Sequence, residues 1–224
     1  MSKPINIAID GPSGAGKSTL ARRLAAELNF VYVDTGAMFR TIALYCSRKG
    51  VDRSDKDAVV ALLRSIHLDM SYGADGEQQM LLNGENVSGL IRTPEISMYT
   101  SAISAYPEVR TFLLEQQREL GRTKSILMDG RDIGTVVLPD APIKIYLTAA
   151  AEARAHRRWL ELVEKGEKIT EEEVLRDVIQ RDENDMNRPV APLRQAEDAV
   201  LVDTTHCDLE ESYQLLLKTI RERM

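Results

Sequence analysis

The sequence predicts an α/β chain, a three-layer P-loop fold in which helices cover both faces of a parallel five-stranded sheet. Three observations carry that reading. Apolar, β-branched runs recur at residues 5–9, 31–33, 125–129, 143–147 and 199–203, with helical patterns between them. The first run leads straight into a glycine-rich stretch that opens a helix, and two segments, 67–91 and 154–192, break the alternation as excursions from one core.

Taken in order, Ile5-Asn6-Ile7-Ala8-Ile9 is the first strand, followed by Gly11-Pro12-Ser13-Gly14-Ala15-Gly16-Lys17-Ser18 and a helix over 17–28. The second strand ends in Asp34-Thr35-Gly36-Ala37-Met38-Phe39-Arg40, where a helix over 36–49 begins; another follows at 55–66. Residues 67–91 read as short antiparallel strands, with Asn83-Gly84 as the hairpin signal. Helices over 93–105 and 107–120 lead to the third strand, which ends Asp129-Gly130-Arg131-Asp132. After the fourth strand come helices at 149–165 and 170–187, then the last strand and a helix over 208–223. Charge is dense and the apolar stripe thin over 154–192, so that stretch is expected to be mostly solvated without a ligand, as suits a mobile lid.

With 224 residues, 43% of them apolar, the chain can bury a sizeable core, and it is expected to form a single domain over 1–224. A net charge of −6 disfavours nucleic acid or an acidic membrane as partner. No stretch approaches the ~18 apolar residues of a membrane span. Met1-Ser2-Lys3-Pro4 starts no signal-peptide pattern, so a cytoplasmic location is expected. Nothing resembles a heptad seam, and a monomer is the expectation. Cys46 and Cys207 match no metal or redox spacing and are expected to be buried thiols; His67, His156 and His206 form no ligand pair.

Residues 11–18 complete the pattern G-x-x-x-x-G-K-[ST] in the strand-to-helix context that it requires. Its amides form a nest for a diphosphate at a helix N-terminus. Lys17 is then expected to reach the β- and γ-phosphates, and Ser18 to offer its hydroxyl to Mg²⁺. Ligands in open α/β sheets bind beyond the carboxyl ends of the strands. Thr35 and Arg40 stand there and suit a second phosphate, although Thr35 is equally suited to cap its helix. Asp129 suits an acidic group that orients Mg²⁺ through water, and Arg131 a bridge to a transferring phosphoryl group. Arg131 and Asp132 read alternatively as an exposed ion pair. Arg181, Asp185 and Arg188 share one helical stripe, and Arg154, Arg157 and Arg158 another; such stripes are otherwise solvated faces.

Together with Ile91-Arg92-Thr93, the run from Asp129 to Val137, Arg154-Ala155-His156-Arg157-Arg158, Arg181-Asp182, Asn187-Arg188 and Ala191-Pro192-Leu193, these segments resemble bacterial-type cytidylate kinases from about residue 5 to the last helix. The resemblance implies transfer of the γ-phosphoryl of MgATP to CMP or dCMP, with residues 36–105 as the region that binds the nucleoside monophosphate (NMP) and 154–192 as the lid. It implies that ATP is held by residues 11–18 with Thr19 and Arg157. It places Thr35, Arg40, Arg131, Arg181 and Arg188 around the acceptor phosphate, Ser101, Arg110 and Asp132 at cytosine, Asp185 at the sugar and Phe39 near the base. Lys17, Arg131, Arg181 and Arg188 are the implied catalytic set. Some relatives carry Ser and Tyr where this chain has Thr35 and Phe39, and both exchanges keep the hydroxyl or the ring.

A carboxylate facing the cytosine amino group is a chemically sensible reader of that base. Uracil turns the same edge into an acceptor, so Asp132 is expected to disfavour UMP by about 1–3 kcal/mol. The acceptor phosphate has a second pKa near 6, and no general base is needed. Two rival readings are an adenylate kinase and a guanine-nucleotide switch. The first typically carries Asp-Gly-Phe-Pro-Arg where this chain has Asp129-Gly130-Arg131-Asp132; the second uses an Asn-Lys-x-Asp tetrapeptide, which this chain lacks.

Overall fold

The computed structural model describes residues 4–73 and 77–224. Along the chain stand β1 (Asn6–Asp10), α1 (Lys17–Leu28), β2 (Val31–Asp34), α2 (Thr35–Arg48), α3 (Lys56–Leu62), β3 (Leu68–Tyr72), β4 (Gln78–Leu82) and β5 (Glu85–Asn86). They are followed by α4 (Pro94–Ile103), α5 (Pro107–Thr123), β6 (Ile126–Gly130), β7 (Ile143–Thr148), α6 (Ala151–Glu164), α7 (Glu171–Asn187), β8 (Val200–Asp203) and α8 (Leu209–Arg221). Two compact units emerge: residues up to Tyr32 with Lys124–Met224, and Val33–Thr123.

The first unit is built on a five-stranded sheet of order β2-β6-β1-β7-β8. β1 pairs in parallel with both β6 and β7, and β7 with β8. Every residue of β6 is buried, as expected of a strand covered on both faces, which is why these strands read as continuous apolar runs. Asp10 lies opposite Gly130, so the carboxyl ends of β1 and β6 reach the same edge of the sheet. Ile7, Ile9, Leu24, Leu127, Leu147, Leu216 and Ile220 form the core against α1 and α8.

Most positions of the lid segment are exposed, as expected, but a small apolar core lies within it. Ala155, Val174 and Val178 are buried with Trp159, Leu162, Ile169 and Leu175 packed on them, a small core shared by α6 and α7. Each helix alone carries too few apolar residues for a visible stripe, and only their pairing collects them. A Thr170/Glu173 capping box and an acidic first turn hold the start of α7.

In the second unit, Met38, Ile42, Met80, Leu82, Ile91, Ile103 and Leu113 belong to one core that joins α2, α4 and α5 to an antiparallel sheet β3-β4-β5. Asn83 and Gly84 both have positive φ (50° and 86°), the turn that the Asn-Gly signal predicts between β4 and β5. Residues 74–76 of the expected insert, and residues 1–3, lie outside the described residues.

A π-helical turn over Ile133–Val137 has no counterpart in the sequence reading. Its cause is tertiary: the buried Asp10 carboxylate accepts from the amides of Ile133 and Gly134, both at 2.7 Å. The thiol expectation is corrected in one half, since Cys46 is buried but Cys207, in the loop before α8, is only partly so. No helix among the described residues is long and apolar enough to cross a membrane.

Candidate active site

The residues at the carboxyl end of β1 form a tight loop whose path is dictated by contact with the neighbouring strand. A Cβ on Gly11 would lie 1.9 Å from the carbonyl oxygen of Leu147, so only glycine lets the chain pass β7. Gly16, in the left-handed conformation, precedes Lys17 at the start of α1, and no side chain caps that helix. The loop therefore ends at first-turn amides that an anion can satisfy. Thr19 is exposed on α1.

Lys17 is buried and its Nζ donates to the carbonyl of Pro12 at 2.6 Å. Burial and then the Arg131 guanidinium push its pKa down to about 7, against the attraction of Asp129, Asp185 and Asp10. Asp10 is shifted the other way, to about 6, because burial and the nearby Asp132 outweigh the two amides and Lys17. Ser18 Oγ donates to Asp129 Oδ2 at 2.9 Å, and Tyr32 OH to Asp129 Oδ1 at 2.8 Å. Tyr32 was not anticipated from the sequence; its only signal is a hydroxyl-bearing ring in an otherwise aliphatic strand. Ser18 and Asp129 form an oxygen-only donor pair, and no cluster of three or more His, Cys, Asp or Glu side chains that could hold a metal occurs among the described residues. That poverty of protein ligands fits Mg²⁺, which keeps waters and phosphate oxygens, better than Zn²⁺ or Ca²⁺.

At the end of β6, four charges of alternating sign form one network with α7. Arg131 Nε donates to Asp185 Oδ2 at 2.8 Å, Arg188 Nη2 to Asp132 Oδ1 at 3.3 Å, and Arg188 Nη1 stands 3.7 Å from Asp185 Oδ1. Arg188 also donates from Nε to the carbonyl of Ala191 at 2.6 Å. Neither alternative anticipated from sequence holds here: Arg131 and Asp132 are not an exposed pair with each other, and Arg188 is not on a solvated stripe, since Arg188 and Asp132 side chains are only 6% and 7% exposed. The turn at 133–137 and the chain reversal after α7 enclose them. Burial opposes the charge of Arg131, yet Asp185, Asp129 and Asp182 hold its pKa above the usual guanidinium value.

Arg181 is on the same helix, and no ion pair closes on it among the described residues. Burial lowers its pKa, and repulsion from Arg158 and Arg131 adds to this against Asp177 and Asp185. Arg157 is committed elsewhere, with Nη2 donating to the carbonyls of Thr204 and Cys207 in the loop before α8.

In the second unit, Asp34 rather than Thr35 caps α2, its Oδ1 accepting from the amide of Ala37 at 2.8 Å. Thr35 is the buried first residue of the helix. The other Asp34 oxygen accepts from Arg40 at 2.8 Å and Arg92 at 3.0 Å. Burial works against the Asp34 charge, but those two guanidiniums and the Ala37 amide keep its pKa below the carboxylate range. Arg92 thereby joins Arg40, although the sequence reading used it only as part of a motif. Gln78 of β4 brackets the Asp34 peptide, accepting from its amide at 2.7 Å and donating to its carbonyl at 3.3 Å.

Phe39, Ser101 and Arg110 form a separate group. The Arg110 guanidinium lies 5.4 Å from the centre of the Phe39 ring and donates to the Ser104 carbonyl at 3.0 Å. Ser104 Oγ in turn donates to the carbonyl of Ser101 at 3.1 Å.

Comparisons with known proteins show the family to which the chain belongs. The cytidylate kinase family model matches residues 7–222. A cytidylate kinase of Geobacter sp. (strain M21) is 49% identical over 219 residues, 97% of this chain and 93% of the relative. Another, of Caldicellulosiruptor bescii, is 47% identical over 216 residues, 96% of this chain and 95% of the relative. A crystal structure of a Eubacterium ventriosum protein shares the fold at 15% identity, with a TM-score of 0.50 over 99% of this chain and 100% of that one. From its phosphate loop to its last helix, the chain belongs to the cytidylate kinase family.

Proposed function

We propose that this protein transfers the γ-phosphoryl group of ATP to CMP or dCMP, yielding ADP and the nucleoside diphosphate. The observation that carries the reading is the family match over residues 7–222. The adenylate kinase alternative has no comparable support.

In this reading residues 11–18, with Thr19, hold the donor, and Arg157 joins them by leaving the carbonyls of Thr204 and Cys207. Lys17 exchanges the Pro12 carbonyl for phosphate oxygens. Ser18 and Asp129 are the residues that would hold Mg²⁺, the second through water. When bound, the ion would neutralise charge on the donor phosphates. The acceptor phosphate is already ionised at neutral pH, so the protein has no proton to remove. Its contribution is alignment and charge compensation. Arg131, Arg181 and Arg188 supply cations, and Asp185 and Asp132 hold two of them in fixed orientation before substrate arrives.

Residues 36–105 serve as the NMP-binding region. Thr35 and Arg40 take the acceptor phosphate, and Ser101, Arg110 and Asp132 read cytosine with Phe39 close to the ring. Asp185 serves the sugar, and the α6–α7 segment within 154–192 acts as a lid that excludes water during transfer.

The test is a panel of CMP, dCMP, UMP, AMP and GMP with MgATP, followed by ADP release. Fast turnover with CMP and little with AMP is expected. A preference for AMP, or ATP hydrolysis that is indifferent to CMP, would overturn the assignment.

A further inference from the structure

Ser13, third residue of the phosphate loop, has both its backbone N–H and its carbonyl engaged by one ion pair. Its amide donates to Asp182 Oδ1 at 3.1 Å, and its carbonyl accepts from Arg154 Nη1 at 2.7 Å. The same Nη1 lies 2.7 Å from Asp182 Oδ2, and the Arg154 Nε donates to the carbonyl of Ala149 at 2.8 Å. Both side chains are almost completely enclosed, at 6% and 8% exposure. The next residue is also in contact, since a Cβ on Gly14 would stand 3.3 Å from the Cβ of Arg154. The proposed cation Arg181 and Asp185 stand on α7, the helix that carries Asp182, and Arg188 follows its last residue in extended conformation, whereas Arg154 lies in the first turn of α6.

We propose that Arg154 and Asp182 are positioning residues for phosphoryl transfer, a latch that sets the phosphate loop at Ser13 and fixes the register of α7 against it. A pair that merely joined α6 to α7 would not need Ser13, because those helices already meet through Ala155, Val174 and Val178. Here one oxygen of the carboxylate and one nitrogen of the guanidinium are spent on loop backbone. Asp182 thus keeps the Ser13 amide away from the ligand side, leaving the amides from Gly14 onward for phosphate. It also ties the position of Arg181, its immediate neighbour, to the loop that holds the donor.

The inference rests on the kinase reading above, and its test separates the two. Asp182→Asn keeps an acceptor for the Ser13 amide but loses the charge that holds Arg154; Arg154→Lys keeps charge but cannot span three acceptors. Misplacement by about 1 Å costs on the order of 100-fold in rate, so both variants are expected to lose about 10- to 100-fold in kcat. Their Kd for ADP should rise severalfold, while the Kd for CMP stays within about twofold, a split that general loosening of the fold would not produce. The double variant Arg154→Met with Asp182→Leu removes both buried charges and keeps the question open to measurement if a single variant fails to fold; it should remain slow. Parent-like kcat and ADP affinity in these variants, with only a lowered Tm, would overturn the latch. Lack of CMP-dependent turnover in the unaltered protein would instead overturn the kinase reading, and the ADP measurements would still judge the latch.

Discussion

Lys17 is the group whose charge state the fold makes most sensitive to ligand. Burial and Arg131 bring its pKa to about 7 in the free protein, so at pH 8 only about one lysine in ten carries a proton. A nucleotide polyphosphate beside Nζ reverses that balance and restores the ammonium. Binding at pH 8 should therefore take up about 0.9 proton per site, falling to about 0.5 at pH 7 and about 0.1 at pH 6. Charging the lysine at pH 8 costs about 1.4 kcal/mol, so affinity for ADP should drop roughly tenfold per pH unit above 7. The assay is calorimetric titration of ADP in Tris and HEPES buffers, whose different ionisation enthalpies turn proton uptake into a slope. At pH 8 the nucleotide phosphates and Asp10, whose pKa is about 6, are already ionised and contribute little. Equal heats in the two buffers, or the same slope in Lys17→Met, would mean that Lys17 takes up no proton on binding.

Three other outcomes follow from the geometry. Lys17→Ala and Arg188→Ala should depress kcat far more than they raise KM for CMP, and steady-state constants with normal kcat in both would remove these residues from the chemistry. Asp132→Asn adds an amide donor that can pair with the uracil carbonyl while its oxygen still accepts from cytosine, so the CMP to UMP ratio of kcat/KM should shrink by about 10- to 100-fold; an unchanged ratio separates Asp132 from base reading. Asp10 has a folded pKa of about 6 against 3.8 for an unperturbed carboxyl, so the folded state binds the extra proton between those values. The stability of the parent relative to Asp10→Asn should be greatest below pH 4 and fall by at most about 3 kcal/mol as pH rises through 6. Urea midpoints measured across that range give the answer, and a difference that is flat with pH contradicts the shift.

Much of the architecture was legible because local rules and tertiary demands coincide in this chain. The strands at 126–130 and 143–148 are largely buried on both faces, and so they appear as mostly apolar runs, interrupted in the second by Lys144. Asn83-Gly84 has a backbone preference strong enough to specify its turn without help. The lid helices were visible by length and charge density, and most of their surface is exposed as expected, but the Ala155, Val174 and Val178 core exists only once both helices are paired. Thr35 suits a cap by residue type, but Asp34, one residue earlier, reaches the Ala37 amide instead, a choice that only the folded geometry makes.

The chain alone determined which chemistry is available: a glycine-rich loop ending in Lys17-Ser18, an acidic strand end at Asp129, and arginines concentrated at 131, 154–158 and 181–188 in an otherwise acidic protein. Those are properties of residue type and spacing over a few turns or one strand end. Tertiary structure decided which charges meet: Asp10 with the amides of Ile133 and Gly134, Asp132 with Arg188, and Asp182 with Arg154 across the Ser13 peptide. Their separations in sequence range from 28 to 169 residues, and no local preference encodes such partners. Burial then gives these contacts their force, because a charge removed from water must find its partner in the folded chain.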